Sequence, residues 1–403
     1  MPAGRLPLAF VTVILAAFTV PVAARPAPAA AAPRCANPVA PAEPVTDVPW
    51  PQRRYGVDGL GVLSTGAGIT VAVVDSGVDP TNPQLRGQVL KGFDGLDNGG
   101  DGRLDCVGHG TAVASIIAAR PRAGMGFRGL APGARILPVR ISEQQIIEGR
   151  ESGRTVSAAQ FASSIRWAVD HDARVINLSV VLYQDNPALR DAVAHALDRD
   201  VVVVAAVGNL HENGDPRPFP ASYDGVLGVG AIGADGVRQP FSQIGSYVDV
   251  VAPGGDVLTA NPVRGHKTQS GTSYAAPFVA ATAALVRAYR PDLSAAQVEA
   301  RIVATADPAP AGIGEAGYGA GVVNPVRAVS ETITAPRATP SRAAVPAVPL
   351  DPAVLARAER RDTARQRALI VAAAAGGVAA VVLIVALVLP RGLRRRWQPA
   401  DPG

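Results

Sequence analysis

Between residues 69 and 304, short apolar runs alternate with longer amphipathic stretches. Ile69 to Val74, Arg135 to Ile141, Arg174 to Ser179, Val201 to Val207, Val226 to Ala231 and Tyr247 to Val251 read as strands. Their apolar character is nearly continuous, the pattern of strands buried on both faces. Thr111 to Ala119, Ser157 to His171, Pro187 to Arg199, residues 274–289 and Ser294 to Ala304 read as helices. Asp191 near the start of the third and Arg199 near its end suit the helix dipole. Ser294 followed by Gln297 has the capping-box spacing. Strands and helices in this alternation imply an α/β fold, a parallel sheet covered by helices on both faces. One domain over residues 55–330 accommodates all of them. Ser142 to Thr155 carries no strong pattern and reads as a polar loop, either mobile or a partner-binding insertion.

The flanks have a different character. Of the 403 residues 48% are hydrophobic and only 18% charged, which leaves apolar sequence beyond the needs of one core. Residues 1–32 read as a signal peptide: Arg5, then the apolar stretch Leu6 to Val20, then small residues at Val22-Ala23-Ala24 or in the alanine run near Ala32. The other reading is an uncleaved anchor; both export the chain that follows. Residues 33–54, rich in Pro and Ala, form an extended arm with no room for a folded inhibitory pro-domain. Residues 331–367 are a Pro/Ala-rich, then Arg-rich tether. Residues 368–390 read as a transmembrane helix, since Leu369 to Leu389 contains 21 residues without a charge. Residues 391–403 then form a basic cytoplasmic tail with Arg391, Arg394, Arg395 and Arg396. Both flanks of the span are basic, so the signal peptide sets the orientation, with the domain outside the cytoplasmic membrane.

The net charge of +5 is no nucleic-acid signature. No arginine run is interleaved with aromatics, and much of the excess flanks the two terminal apolar segments. The two cysteines, Cys35 and Cys106, form an even pair in an exported chain, which reads as a disulfide; the other reading is two buried free thiols.

In a parallel α/β sheet ligands sit beyond the carboxyl ends of strands. Asp75 ends the strand Val71-Ala72-Val73-Val74. Asn209 follows the strand ending at Val207. His109 opens the helix of Gly108-His109-Gly110-Thr111. Ser273 opens the helix after Gly271-Thr272. A serine before a helix is also an ordinary N-cap, so the other three decide its reading. Their types suit acyl transfer: Ser273 as nucleophile, His109 as base, Asp75 to orient the imidazole, and the Asn209 amide with the Ser273 backbone N–H for the oxyanion. Such chemistry needs no cofactor or metal.

The order Asp…His…Ser and three motifs carry a resemblance. Val74-Asp75-Ser76-Gly77-Val78-Asp79, Gly108-His109-Gly110-Thr111-Ala112-Val113-Ala114-Ser115 and Gly271-Thr272-Ser273-Tyr274-Ala275-Ala276-Pro277 resemble the subtilisin-like serine proteases. The resemblance covers about residues 50–330 and implies a serine endopeptidase acting on a protein or peptide. The whole layout, from signal peptide to membrane helix and basic tail, is similar to the mycosins, the membrane-anchored proteases of type VII secretion. That implies a secretion-complex partner, and a disulfide that ties down the N-terminal arm fits the same group. An alternative role is a structural subunit of that complex with proteolysis dispensable. One segment departs from the family: Asn177-Leu178-Ser179-Val180-Val181 has a valine where a glycine would let the substrate backbone approach, so no subsite preference is read.

The remaining polar residues read more plainly. Asp94, Asp97, Asp101 and Asp105 in a Gly-rich loop form either a Ca²⁺ cluster or a solvated turn cluster; the spacing fits no EF-hand. His171 and His195 read as surface residues. His211 and His266 have no spaced partner, and Trp50 and Trp167 read as packing.

Overall fold

The computed structural model describes residues 35–333, apart from 36–37, 98, 148–149 and 311–315. The segments expected to be the signal peptide, the membrane helix and the basic tail lie outside the described residues, as does the tether from residue 334 on. Among the described residues no helix is long and apolar enough to cross a membrane.

Eleven strands and eight α-helices make up the described chain. The strands are β1 (Thr70–Asp75), β2 (Phe93–Asp94), β3 (Arg135–Arg140), β4 (Gln145–Ile147), β5 (Arg150–Ser152), β6 (Val175–Leu178), β7 (Val202–Ala206), β8 (Val226–Ile232), β9 (Val250–Pro253), β10 (Val257–Ala260) and β11 (His266–Gln269). The helices are α1 (Trp50–Tyr55), α2 (Val57–Leu63), α3 (His109–Ala118), α4 (Ala158–Asp170), α5 (Pro187–Asp198), α6 (Thr272–Tyr289), α7 (Ala295–Ala304) and α8 (Pro325–Ser330). Seven strands form one parallel sheet in the order β2-β3-β1-β6-β7-β8-β9. The order reverses at β1, so Asp75 at its carboxyl end stands at the switch point where such sheets open a crevice.

Side chains alternate across a strand, and here each set has its own cover. Val71 and Val73 of β1 pack with Val202 and Val204 of β7 into the core built with α3 and α6. Ala72 and Val74 pack with Val203 and Ala205 into the second core, built with α4 and α5. This two-sided burial is why the runs carry almost no polar residue. Both Ser157 and Ser294 close full capping boxes, with Gln160 and Gln297.

Three local readings are corrected. Ser142 to Thr155 is not an unpatterned loop: it holds the β4–β5 hairpin, closed by a Ser142–Thr155 bridge. Ion pairs that sequence spacing does not show hold its base, with Arg154 on both Glu143 and Asp97. The aspartate loop is not a solvated cluster. Arg140 is fully buried and pairs with Asp94 at 2.6 Å, with Asp97 at 2.7 Å and with Glu143, while Asp101 pairs with Arg103. Neither β10 nor β11 is expected from the sequence: each is only four residues long, and β11 is His-Lys-Thr-Gln with no apolar side chain to mark a strand.

The arm is anchored along its length. Cys35 is disulfide-bonded to Cys106. Ala42 N–H donates to Arg264 O, His266 N–H donates to Glu43 O, and Gly126 N–H donates to Val45 O. The arm passes into α1 at Trp50, whose indole N–H reaches the carbonyls of Gly255 and Asp256. His266 is not a free loop histidine. Its Nδ1 accepts from Val45 N–H at 2.9 Å and its Nε2 meets Gln84 Oε1 at 2.7 Å. His171 is exposed and its ring lies on that of Trp167, which also stacks on Phe93.

Candidate active site

Asp75 and His109 are brought together by a close approach of two turns. Gly110, the second residue of α3, lies so near the turn after β1 that a Cβ there would come within 2.1 Å of Gly77 O. His109 Nδ1 consequently meets Asp75 Oδ1 at 2.7 Å, and Ser76 N–H donates to the same oxygen at 2.6 Å. The Asp75 carboxylate is buried, whereas the His109 side chain keeps 27% of its exposure.

Asp105, which the sequence assigned to a turn cluster, supports this pair. Its Oδ1 accepts from Ser76 Oγ at 2.9 Å and from Gly108 N–H at 2.7 Å. Its Oδ2 accepts from Thr111 N–H at 2.8 Å and from Thr111 Oγ1 at 2.6 Å. A buried carboxylate thus caps the amino end of α3, where unpaired N–H groups favour negative charge. Ser76 Oγ in turn accepts from Gly110 N–H at 2.9 Å, which locks the histidine turn onto the aspartate turn. The only sequence hint was an acid three residues before a helix-opening glycine, and its burial, which decides its role, came from the folded chain.

Ser273 is the second residue of α6. Gly271 caps that helix with φ 154 and ψ 156, a region open essentially to glycine. Gly271 has no side chain to cap the helix, and Asn209 does so from the end of β7. Its Oδ1 accepts from Thr272 N–H and from Thr272 Oγ1, both at 2.9 Å. With Oδ1 so used, the Asn209 NH₂ group is turned to the Gly271–Ser273 side; a Cβ on Gly271 would stand 3.4 Å from Nδ2. Ser273 O accepts from Ser179 Oγ at 2.8 Å. The ring of Tyr274 lies 5.2 Å from that of His109, which brings the serine turn against the imidazole. Among the described residues no hydrogen bond joins Ser273 Oγ to His109. Such contacts commonly tighten only when substrate is bound.

Burial alone would lower the pKa of His109. The Asp75 charge and hydrogen bond, with the Asp105 charge behind them, outweigh it, and the net direction is upward. Burial pushes the Tyr274 phenol up, and the Asp75 and Asp105 charges add to that shift, so it stays neutral. The arrangement therefore offers a base oriented by a carboxylate, a hydroxyl at a helix start, and an amide N–H pair beside it: the requirements for attack on a carbonyl. Among the described residues no group of three or more His, Cys, Asp or Glu could hold a metal.

The profile of the subtilase family (peptidase S8) matches residues 66–321. Mycosin-1 of Mycobacterium tuberculosis is 36% identical over 344 residues, covering 73% of this chain and 76% of that protein. A thermophilic serine proteinase of Bacillus sp. strain AK1 is 41% identical over 237 residues, covering 59% of this chain but only 56% of that protein's length. The solved structure of MycP1, described as a serine protease and an essential component of the type VII (ESX-1) secretion system, superposes with a TM-score of 0.62 at 32% identity, covering 73% of this chain and 91% of that one. The chain belongs to the subtilase family, as a mycosin-like serine endopeptidase.

Proposed function

We propose that Asp75, His109 and Ser273 are the catalytic triad of a membrane-anchored endopeptidase acting outside the cytoplasmic membrane in a type VII secretion complex. The observation that carries the triad is the 2.7 Å contact of Asp75 Oδ1 with His109 Nδ1 beside the helix that presents Ser273. Ser273 Oγ attacks the scissile carbonyl carbon and His109 Nε2 takes its proton. Asp75 holds the Nδ1–H tautomer and stabilises the imidazolium. The oxyanion develops between Asn209 Nδ2 and Ser273 N–H; losing one such donor costs about 3–4 kcal/mol of transition-state stabilisation. His109 then returns the proton to the leaving amine, and water repeats the sequence on the acyl-enzyme.

The proposed location rests on the segments at 1–32 and 368–390, and the complex on the likeness to Mycosin-1 and MycP1. Full-length protein in detergent should react with a fluorophosphonate, and Ser273→Ala should abolish both labelling and peptide hydrolysis. Wild-type protein that never labels would overturn the catalytic assignment. The description of MycP1 as an essential component favours a second, compatible role as a structural subunit. A Ser273→Ala strain that secretes normally, while a deletion strain does not, would make that role the main one.

A further inference from the structure

We infer that Ser179, steadied by Asn177, is a positioning residue for the nucleophile: its hydroxyl supplies the hydrogen bond that Pro277 withholds from the Ser273 carbonyl. The inference rests on Ser273 being the nucleophile.

In an α-helix the carbonyl of residue i accepts from the N–H of residue i+4. For Ser273 that residue is Pro277, which lies inside α6 and has no N–H. A carbonyl left unpaired in so buried a turn would be costly. The gap is filled from the sheet. Ser179 Oγ donates to Ser273 O at 2.8 Å. The same oxygen accepts from Asn177 Nδ2 at 2.9 Å. Asn177 is 0% exposed and Ser179 is 7% exposed, so neither bond competes with bulk water. Asn177 sits in β6 in register between Val73 of β1 and Val204 of β7, which makes it a fixed point. Otherwise Val175 to Val181 is apolar, so a serine at 179 is unexplained by strand packing.

Ser273 is thereby held from both sides. Asn209 fixes the residue before it through Thr272 N–H at 2.9 Å, and Ser179 fixes the peptide after it through Ser273 O. Both proposed reacting groups of Ser273, Oγ and N–H, lie between those two bonds. Removing the Ser179 bond frees the first turn to rotate, and a displacement of about 1 Å at a reacting group can cost about 100-fold in rate.

The test measures the maximal rate of fluorophosphonate labelling, kinact, separately from the half-saturating concentration, KI, on full-length protein in detergent. Ser179→Ala should lower kinact by about tenfold or more, the effect of leaving one buried acceptor unpaired, with KI little changed. Ser179→Thr, which keeps the hydroxyl, should hold the rate. Pro277→Ala restores an N–H four residues after Ser273 and makes the hydroxyl redundant. Ser179→Ala should therefore cost much less in the Pro277→Ala background, an outcome that a merely structural role for Ser179 does not produce. This double variant decides the question even if Ser179→Ala alone fails to fold: recovered labelling supports the inference and absent labelling overturns it. An equal loss in both backgrounds, or no loss in either, also overturns it. Labelling that survives Ser273→Ala refutes the catalytic reading itself. Labelling that is lost in Ser273→Ala but unchanged in Ser179→Ala refutes only the positioning role.

Discussion

Asn209, as helix cap and as proposed oxyanion donor, has two separable roles, and one substitution parts them. Its Oδ1 accepts two hydrogen bonds from Thr272, each 2.9 Å, and its Nδ2 lies beside Gly271, where a Cβ would stand 3.4 Å away. Asn209→Asp keeps the acceptor and removes the donor. The two Thr272 bonds persist, so the first turn of α6 stays in place and the melting temperature stays close to wild type. The transition state loses one donor, which lowers kinact by about 100- to 1000-fold. The new carboxylate also opposes the oxyanion; two like charges 4 Å apart at an effective dielectric of 20 repel by about 4 kcal/mol, so the loss falls at or beyond the upper end. Asn209→Leu is the control: it removes the donor and both acceptor contacts, and each lost bond costs about 0.5–1.5 kcal/mol of stability in addition. Fluorophosphonate labelling and thermal melting on the same preparations separate the effects. A kinact for Asn209→Asp within threefold of wild type would refute the oxyanion role.

Three further outcomes follow from the geometry. His109 must be neutral to act as a base, and Asp75 raises its pKa despite burial, so the acid limb of labelling against pH should lie above the ordinary value near 6.5. Asp75→Asn should move that limb downward and sharply lower the plateau. Burial lowers the pKa of His266, whose Nδ1 must stay unprotonated to hold Val45. The unfolded chain therefore binds more protons, and this contribution is complete above about pH 6.5 and lost as pH falls below it; the stability gap between wild type and His266→Leu should narrow from pH 8 to pH 5, and a constant gap would count against the latch. Arg140→Met leaves Asp94, at 1% side-chain exposure, without its partner and should cost about 3–5 kcal/mol, much of it recovered by adding Asp94→Leu.

Local pattern alone was enough for the frame. The runs at 71–74 and 201–207 announce strands buried on both faces, because a parallel sheet with helices on each side leaves no wet position for a polar residue. Ser294 and Gln297 announce a helix start, since a capping box is complete within four residues. The catalytic candidates are legible for the same reason: Asp75, His109, Asn209 and Ser273 each sit at an element's end, and the fold class says which ends face the crevice. The pairing of Cys35 with Cys106 needed only an expected export signal and an even count of two cysteines; by loop-closure entropy a 71-residue separation corresponds to roughly 4 kcal/mol.

What needed the folded chain were bonds between residues remote in sequence. Asp105 became the cap of the histidine helix, not a turn aspartate, because burial removed it from water and five N–H or O–H donors converge on it. Arg140 drew Asp94 and Asp97 into ion pairs, out of a loop that otherwise read as a solvated turn cluster or a calcium site. His266 and Val45, 221 positions apart, close the N-terminal arm over the domain. Ser179 reaches Ser273 across 94 positions. No periodicity or propensity encodes such pairs: helix and strand signals extend over a few residues, whereas a buried polar group is satisfied by whichever partner the packing of the sheet and helices brings within about 3 Å.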